Sequence, residues 1–342
     1  MANFPDIVRL LRALTNRTLE YDFSVWFWGD AIAIDGLLEA AELLNDEMPR
    51  EHCLRFYKAW TRRPLTWHDH LTPGVGLLKL YRATGDIELL DAAKRLADWL
   101  EQAPRSPRYG TPLYRPDLPP YRHTVWVDTI YHEPSFFCLL AQVTGERRYY
   151  DVGIDIWRCH VRALSSPQGP FLAHAIDTGM RALRGYGWGR GNGWALYGMV
   201  DTLELLPRDH PEYDWALHNM QALASEIVKL QDSSGFWRTL LHDREAYLES
   251  STASFFGGAF MRAMRLGLLG TEFAAAAERA WRATVSRIDD EGSFFGVSAC
   301  TYAGVTLDDV ISMYKTLPTE VNVWGQGSAL RIAAERIRSG LS

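Results

Sequence analysis

Six short clusters set an aromatic ring, tryptophan in five of them, beside side chains able to bind a polar guest or move a proton: WFWGD at 26–30, WHDH at 67–70, VWVD at 125–128, GWGRGNGW at 187–194, YLESS at 247–251 and VWGQG at 323–327. Indole is costly to leave in water, and its N–H needs a partner when buried. Trp repeated beside Asp, His, Arg and Asn therefore predicts a lined pocket for a guest with apolar faces and hydroxyl edges, which is the description of a sugar. The fourth cluster adds charge. Its glycines, spaced by two ahead of a helix, let backbone N–H groups approach an anion, and Arg190 supplies a planar fork matched to a carboxylate. The same residues also fit a tight interhelix turn with Arg190 capping a neighbour. A nucleotide phosphate loop does not fit, because no apolar strand leads into the glycines and the lysine of such loops is missing.

His68, Asp69 and His70 invite a metal reading. Two histidines at i and i+2 do not readily close a site without remote ligands, so no metal and no other cofactor is expected. The net charge of −6 with dispersed basic residues excludes a nucleic-acid partner. No apolar run is long enough to cross a bilayer, and the opening MANFPDIVRLLRALTNRTLE lacks the uninterrupted apolar core of a signal peptide. Cys53, Cys138, Cys159 and Cys300 show neither metal-ligand nor redox spacing. A cytoplasmic protein with free thiols is expected.

Helical periodicity bounded by Gly, Pro and polar breaks predicts twelve helices to hold these residues: 4–18, 29–45, 50–62, 73–84, 87–102, 127–143, 147–162, 191–206, 212–231, 249–267, 271–288 and 321–338. Strand-like alternation is scarce. Two junctions, LYRATGDIELL and LLAQVTGERRYY, end one helix in Thr-Gly-acid and start another, a left-handed cap followed by a charge suited to a helix N-terminus. Such hairpins, six in all, with a cluster before each even-numbered helix, predict an all-α (α/α)6 toroid. The even helices form a parallel inner layer and gather the clusters at one end. The segment AIAIDGLLEAAELL, apolar nearly all round, suits a doubly covered inner helix, whereas 92–100 is amphipathic. One catalytic domain over 1–342 is expected.

WGRGNGW, with WVDTIYHEPSF (126–136), HDHLTPGVGLLKLYRATGD (68–86) and VWGQGSAL (323–330), resembles the unsaturated rhamnogalacturonyl and glucuronyl hydrolases of glycoside hydrolase families 105 and 88. The resemblance runs over nearly the whole chain. It implies the same toroid, no metal, and an acidic oligosaccharide substrate whose non-reducing end is a 4,5-unsaturated uronic acid. It also implies hydration of that double bond instead of attack at the anomeric carbon. Asp128 matches the family's proton donor to C4, which then activates the water adding at C5. Burial beside Trp126, Tyr131 and Phe136 is expected to raise its pKa, and Pro134 to keep it at the start of its helix. The competing reading of Asp128 is a helix cap.

Asp69 matches a second family aspartate that holds sugar hydroxyls and tunes Asp128. His174 matches a substrate-binding histidine, with a structural histidine as its alternative, and His132 lies one turn after Asp128 on the same face. Trp28, Trp188 and Trp194 are candidates to stack on the flat unsaturated ring, Arg190 and Asn192 to hold its carboxylate or hydroxyls, and Ser250 and Ser251 to contribute weakly. The segment 104–120, rich in Pro and Arg, matches no family pattern: it either reaches over the pocket or is a solvated connection. Two other functions compete, a toroid sugar epimerase using histidine pairs and a non-catalytic glycan-binding protein.

Overall fold

The computed structural model describes residues 6–23, 28–66, 71, 74–301 and 307–340, with side chains of the twelfth helix described from 312. Helices α1 (Ile7–Thr18), α3 (Glu47–Trp60), α5 (Ile87–Glu101), α7 (Arg148–Leu164), α9 (Tyr213–Val228) and α11 (Ala274–Val285) form an outer layer. Each is amphipathic; α5, for example, buries Leu89, Leu90, Ala92, Ala93, Leu96, Ala97 and Leu100 and leaves its other face wet. Helices α2 (Asp30–Leu44), α4 (Gly74–Thr84), α6 (Thr129–Thr144), α8 (Gly189–Leu205), α10 (Ser250–Arg265) and α13 (Val323–Arg338) form the inner layer. They pack in the closed order α2, α4, α6, α8, α10, α13 and back to α2. Along α2 every residue from Asp30 to Ala41 is buried, and along α6 every residue from Thr129 to Ala141, as helices covered on all sides require. This is an (α/α)6 toroid.

Local chemistry sets the hairpins as expected. Gly85 and Gly145 adopt φ of 72° and 78° after α4 and α6, and the Asp86 carboxylate accepts the Glu88 N–H at 3.1 Å to start α5. Close packing of the inner ring rests on small residues. A Cβ on Gly198 would run into the Ile130 carbonyl and Tyr131 Cα, so α8 lies directly against the α6 backbone.

Two features depart from the purely helical expectation. A sheet built on β3 (Gly169–Asp177) pairs it antiparallel with β1 (Thr124–Trp126), β2 (Ser165–Ser166) and β4 (Ala182–Tyr186), with Trp126 opposite Ala175 and Ala175 opposite Arg184. Residues 171–176 of β3 are buried without alternation, which hides the strand from a period-two search. Helix α12 (Leu307–Thr316) stands outside the hairpin count, packed against β4. Two-stranded ribbons, β5 (Trp237–Arg238) with β6 (Leu248–Glu249) and β7 (Val297–Ser298) with β8 (Thr319–Glu320), complete the described strands. No helix among the described residues is long and apolar enough to cross a membrane.

Candidate active site

The aromatic clusters stand at the starts of the inner helices, VWGQG wholly inside the first turns of α13 and GWGRGNGW mostly inside α8, so their described members meet where the helix N-termini converge. Partial positive charge from the unpaired N–H groups favours an anionic guest at that end. A cavity of about 230 Å³ opens there, lined by Trp28, Tyr114, Arg115, Trp126, Asp128, His174 and Trp188 with Leu71, Tyr121, Cys300 and Thr301. A larger cavity of about 590 Å³ lies at the opposite end. It is walled by ion pairs of α2, α8, α10 and α13 and carries none of the aromatic clusters.

Asp128 stands immediately before α6 and makes no capping bond with its carboxylate, which sets aside the helix-cap reading. The residue is 4% exposed, and its Oδ2 has no hydrogen-bond partner among the described residues. Burial pushes the carboxyl up to about 7, against the opposing pull of its own backbone N–H and of the Arg190 charge. An acid in that range can give a proton near neutrality and take one back. His174 Nε2 lies 3.7 Å from Oδ2. Burial, reinforced by the Arg190 charge, holds the imidazole well below its ordinary pKa. The contact is therefore one between a neutral ring and an acid, not an ion pair. Trp188 lies over His174 with ring centroids 4.0 Å apart, and Trp126 meets it edge-on at 4.7 Å.

Four expected binding residues hold the wall from behind instead of lining it. Arg190 is fully buried; its Nη1 donates to the Ser298 carbonyl at 3.0 Å and its Nη2 to the Ala299 carbonyl at 3.2 Å, with Glu249 Oε1 at 3.5 Å. Its guanidinium sits beneath Trp188, 5.0 Å from the ring centroid. Thus it fixes the strand that leads to Cys300 and Thr301 and acts on Asp128 only through space. Asn192 joins α8 to β3, accepting the Leu172 N–H at 2.9 Å and donating to the Leu172 carbonyl at 3.0 Å, two residues from His174. Trp194, fully buried, packs among Tyr131, Phe255 and Trp28. His132 stacks on Trp194 at 5.8 Å. Ser251 donates to the Glu249 carboxylate, which it helps to hold as the cap of α10; neither it nor Ser250 lines the cavity. Asp69, His68 and His70 lie outside the described residues. No three His, Cys, Asp or Glu side chains among the described residues gather as a metal site.

The segment 104–122 reaches the cavity. The Tyr114 N–H donates to the Thr124 carbonyl at 2.8 Å, and the Tyr114, Tyr121 and Trp126 rings form an aromatic wall with centroids 5.4–5.9 Å apart. Arg115 beside them adopts φ of 47° just before Pro116 and is held by Asp117 at 2.9 and 3.0 Å. A left-handed backbone at a non-glycine residue is the kind of strain that concentrates at functional sites. Sequence reasoning also passed over Tyr314 of α12, whose hydroxyl is hydrogen-bonded to His174 Nδ1.

Known proteins resemble this chain in sequence and in fold. The chain is 27% identical to the unsaturated rhamnogalacturonyl hydrolase YesR of Bacillus subtilis, an alignment spanning 97% of this chain and 95% of that one. Over 49% of its length it is 32% identical to an unsaturated 3S-rhamnoglycuronyl hydrolase of Formosa agariphila, covering 48% of that protein. A crystal structure of a possible member of the GH105 family from Klebsiella pneumoniae superposes with a TM-score of 0.88 at 21% identity, covering all of this chain and 95% of that one, a likeness of fold. Residues 11–340 match glycosyl hydrolase family 88, and with nearly its full length accounted for, the chain belongs to that family.

Proposed function

We propose that this protein is a hydrolase that releases 4,5-unsaturated uronic acid from the non-reducing end of lyase-made acidic oligosaccharides, acting as one catalytic unit over the whole ring. The observation that carries this reading is Asp128: a buried carboxyl near pKa 7 at an aromatic-walled mouth. Asp128 protonates C4 as the C4=C5 electrons form the new C–H bond, leaving positive charge at C5 shared with the ring oxygen. The carboxylate then takes a proton from water as that water adds to C5. The resulting hemiketal opens to a ketone, and the hemiacetal left at C1 expels the remaining saccharide. Asp69 is assigned the second carboxylate role, and the aromatic wall with Arg115 the contacts to the sugar ring and its acid group.

Conventional glycosidases place two carboxylates across the anomeric carbon and leave C4 untouched. Free thiols, three of the four buried, accord with a cytoplasmic location. The test is incubation with a panel of lyase-made oligosaccharides, rhamnogalacturonan-derived ones first, in heavy water. Loss of the ultraviolet absorbance of the double bond with one deuterium delivered to a single face of C4 is expected. Turnover without deuterium at C4 returns the protein to conventional glycoside hydrolysis; turnover of saturated free sugars alone favours an epimerase.

A further inference from the structure

His174 is held on three sides. Trp188 covers one face, the edge of Trp126 closes another, and Tyr314 binds Nδ1. Tyr314 is 1% exposed, and its ring lies 5.9 Å from that of Trp188. Room for its hydroxyl comes from Gly185, at φ +61°, where any Cβ would strike that oxygen. A buried phenol raised well above its ordinary pKa keeps its proton, and the partner seen for that proton among the described residues is Nδ1. When Nδ1 accepts, a neutral imidazole carries its own proton on Nε2. Nε2 is the nitrogen 3.7 Å from Asp128 Oδ2.

We propose that Tyr314, on the helix outside the six hairpins, is a positioning residue for the reaction: its hydroxyl fixes His174 as the Nε2–H tautomer, so that the carboxylate left when Asp128 gives up its proton faces an N–H instead of a lone pair. This rests on the reading of Asp128 given above. Such a donor favours the anion that must next act as base, and it costs the acid little, since at 3.7 Å the contact tightens only when charge develops. The described charged or titratable groups around His174 are Asp128 before α6, Arg190 on α8, Tyr314 on α12, Cys300 beyond β7, on β4 Arg184, 4.0 Å from the Asp177 carboxylate, and, lining the same cavity, Tyr114, Arg115 and Tyr121 of the 104–122 segment. The hydrogen bond seen at Nδ1 among the described residues is that of the Tyr314 hydroxyl.

Nitrogen NMR of the histidine-labelled protein reads the tautomer directly, the His174 signals being identified by their absence in His174→Gln. Protonated Nε2 and bare Nδ1 are expected in the native protein. The reverse assignment overturns the proposal even if no substrate has been found, so its failure is separable from failure of the proposed reaction. With an active substrate, Tyr314→Phe keeps the ring and is expected to lower kcat by about tenfold or more while KM stays within about threefold. The alkaline limb of its pH profile should move upward, because Asp128 beside a lone pair holds its proton longer. In a His174→Gln background the same change should have little further effect. A full additive loss there, or an unmoved limb in the single variant, would mean that the hydroxyl does not act through His174.

Discussion

At the scale of single residues, the chemistry turns on a carboxyl kept where it is uncomfortable as an anion. Asp128 is raised from 3.8 to about 7, first by burial, so the folded state binds its proton more tightly than the unfolded chain does. By linkage, that stabilising contribution is complete below about pH 4 and is lost as pH rises through about 7. Asp128→Asn removes the titration. We expect turnover to fall by several orders of magnitude, since an amide neither gives nor takes the proton. We also expect the variant to gain thermal stability relative to the parent at pH 8 but not at pH 4.5. Equal melting shifts at both pH values would mean that the carboxyl is not charging in a buried site. The Asp128 motif was legible because an Asp among aromatics before a helix is a local signal. Arg190 was legible only as a residue type: a guanidinium after glycines reads as an anion receptor, while the groups that bind it, at Glu249 and Ser298, lie 59 and 108 residues away and leave no mark nearby.

At the scale of elements, the twelve hairpin helices were readable from period and punctuation, and the observed bounds differ mostly by a residue or two. The missed pieces carry much of the site. β3 is buried on both faces and so shows no alternation, yet it brings His174 to Asp128. The 104–122 segment is irregular, held by isolated bonds such as Tyr114 to Thr124, and no periodicity foretells where it folds back. The α6–α8 contact also bears on the site, because α6 follows directly on Asp128 and α8 on Trp188. Gly198→Ala would drive a methyl group into the Ile130 carbonyl and the Tyr131 Cα, backbone atoms that cannot rotate aside. Overpacking of this kind costs about 1–3 kcal/mol. A lowered denaturant midpoint with an unchanged slope is expected. An unaltered midpoint would show that the two helices can separate without loss.

At the scale of the whole molecule, the parallel inner helices give the toroid two unlike ends. Their N-termini meet at the mouth, where Asp128 Oδ2 has no hydrogen-bond partner among the described residues. Their C-terminal halves meet at the base, where charges are matched in a network. Arg331 donates to Asp201 at 2.8 Å and to Glu39 at 3.2 Å; Arg262 joins Glu39, Glu204 and Glu335; Arg338 reaches Glu39 at 3.0 Å. The network touches the chemistry through Tyr131 of α6, whose hydroxyl donates to Asp35 at 2.8 Å and accepts from Arg331 at 2.9 Å. Acidic residues inside apolar AIAIDGLLEAAELL were the visible sign of it, since a charge on a helix covered all round must have a buried partner. Burial alone would raise the Glu39 carboxyl, but Arg331, Arg262, Arg338 and Lys79 together bring it below the ordinary range. A depressed folded-state pKa contributes stability above about pH 4.5, lost as pH falls further. Glu39→Gln removes one anion shared by these cations while Asp201, Glu204 and Glu335 still face them. The loss should therefore approach, from below, the cost of a fully broken buried pair, about 3–5 kcal/mol. In urea titrations at pH 7 the variant should be less stable by that order, and the gap from the parent should narrow as the pH is taken below 4.5. A gap that stayed constant into acid would mean that Glu39 acts by shape and not by charge, and that the base of the ring is held by packing alone.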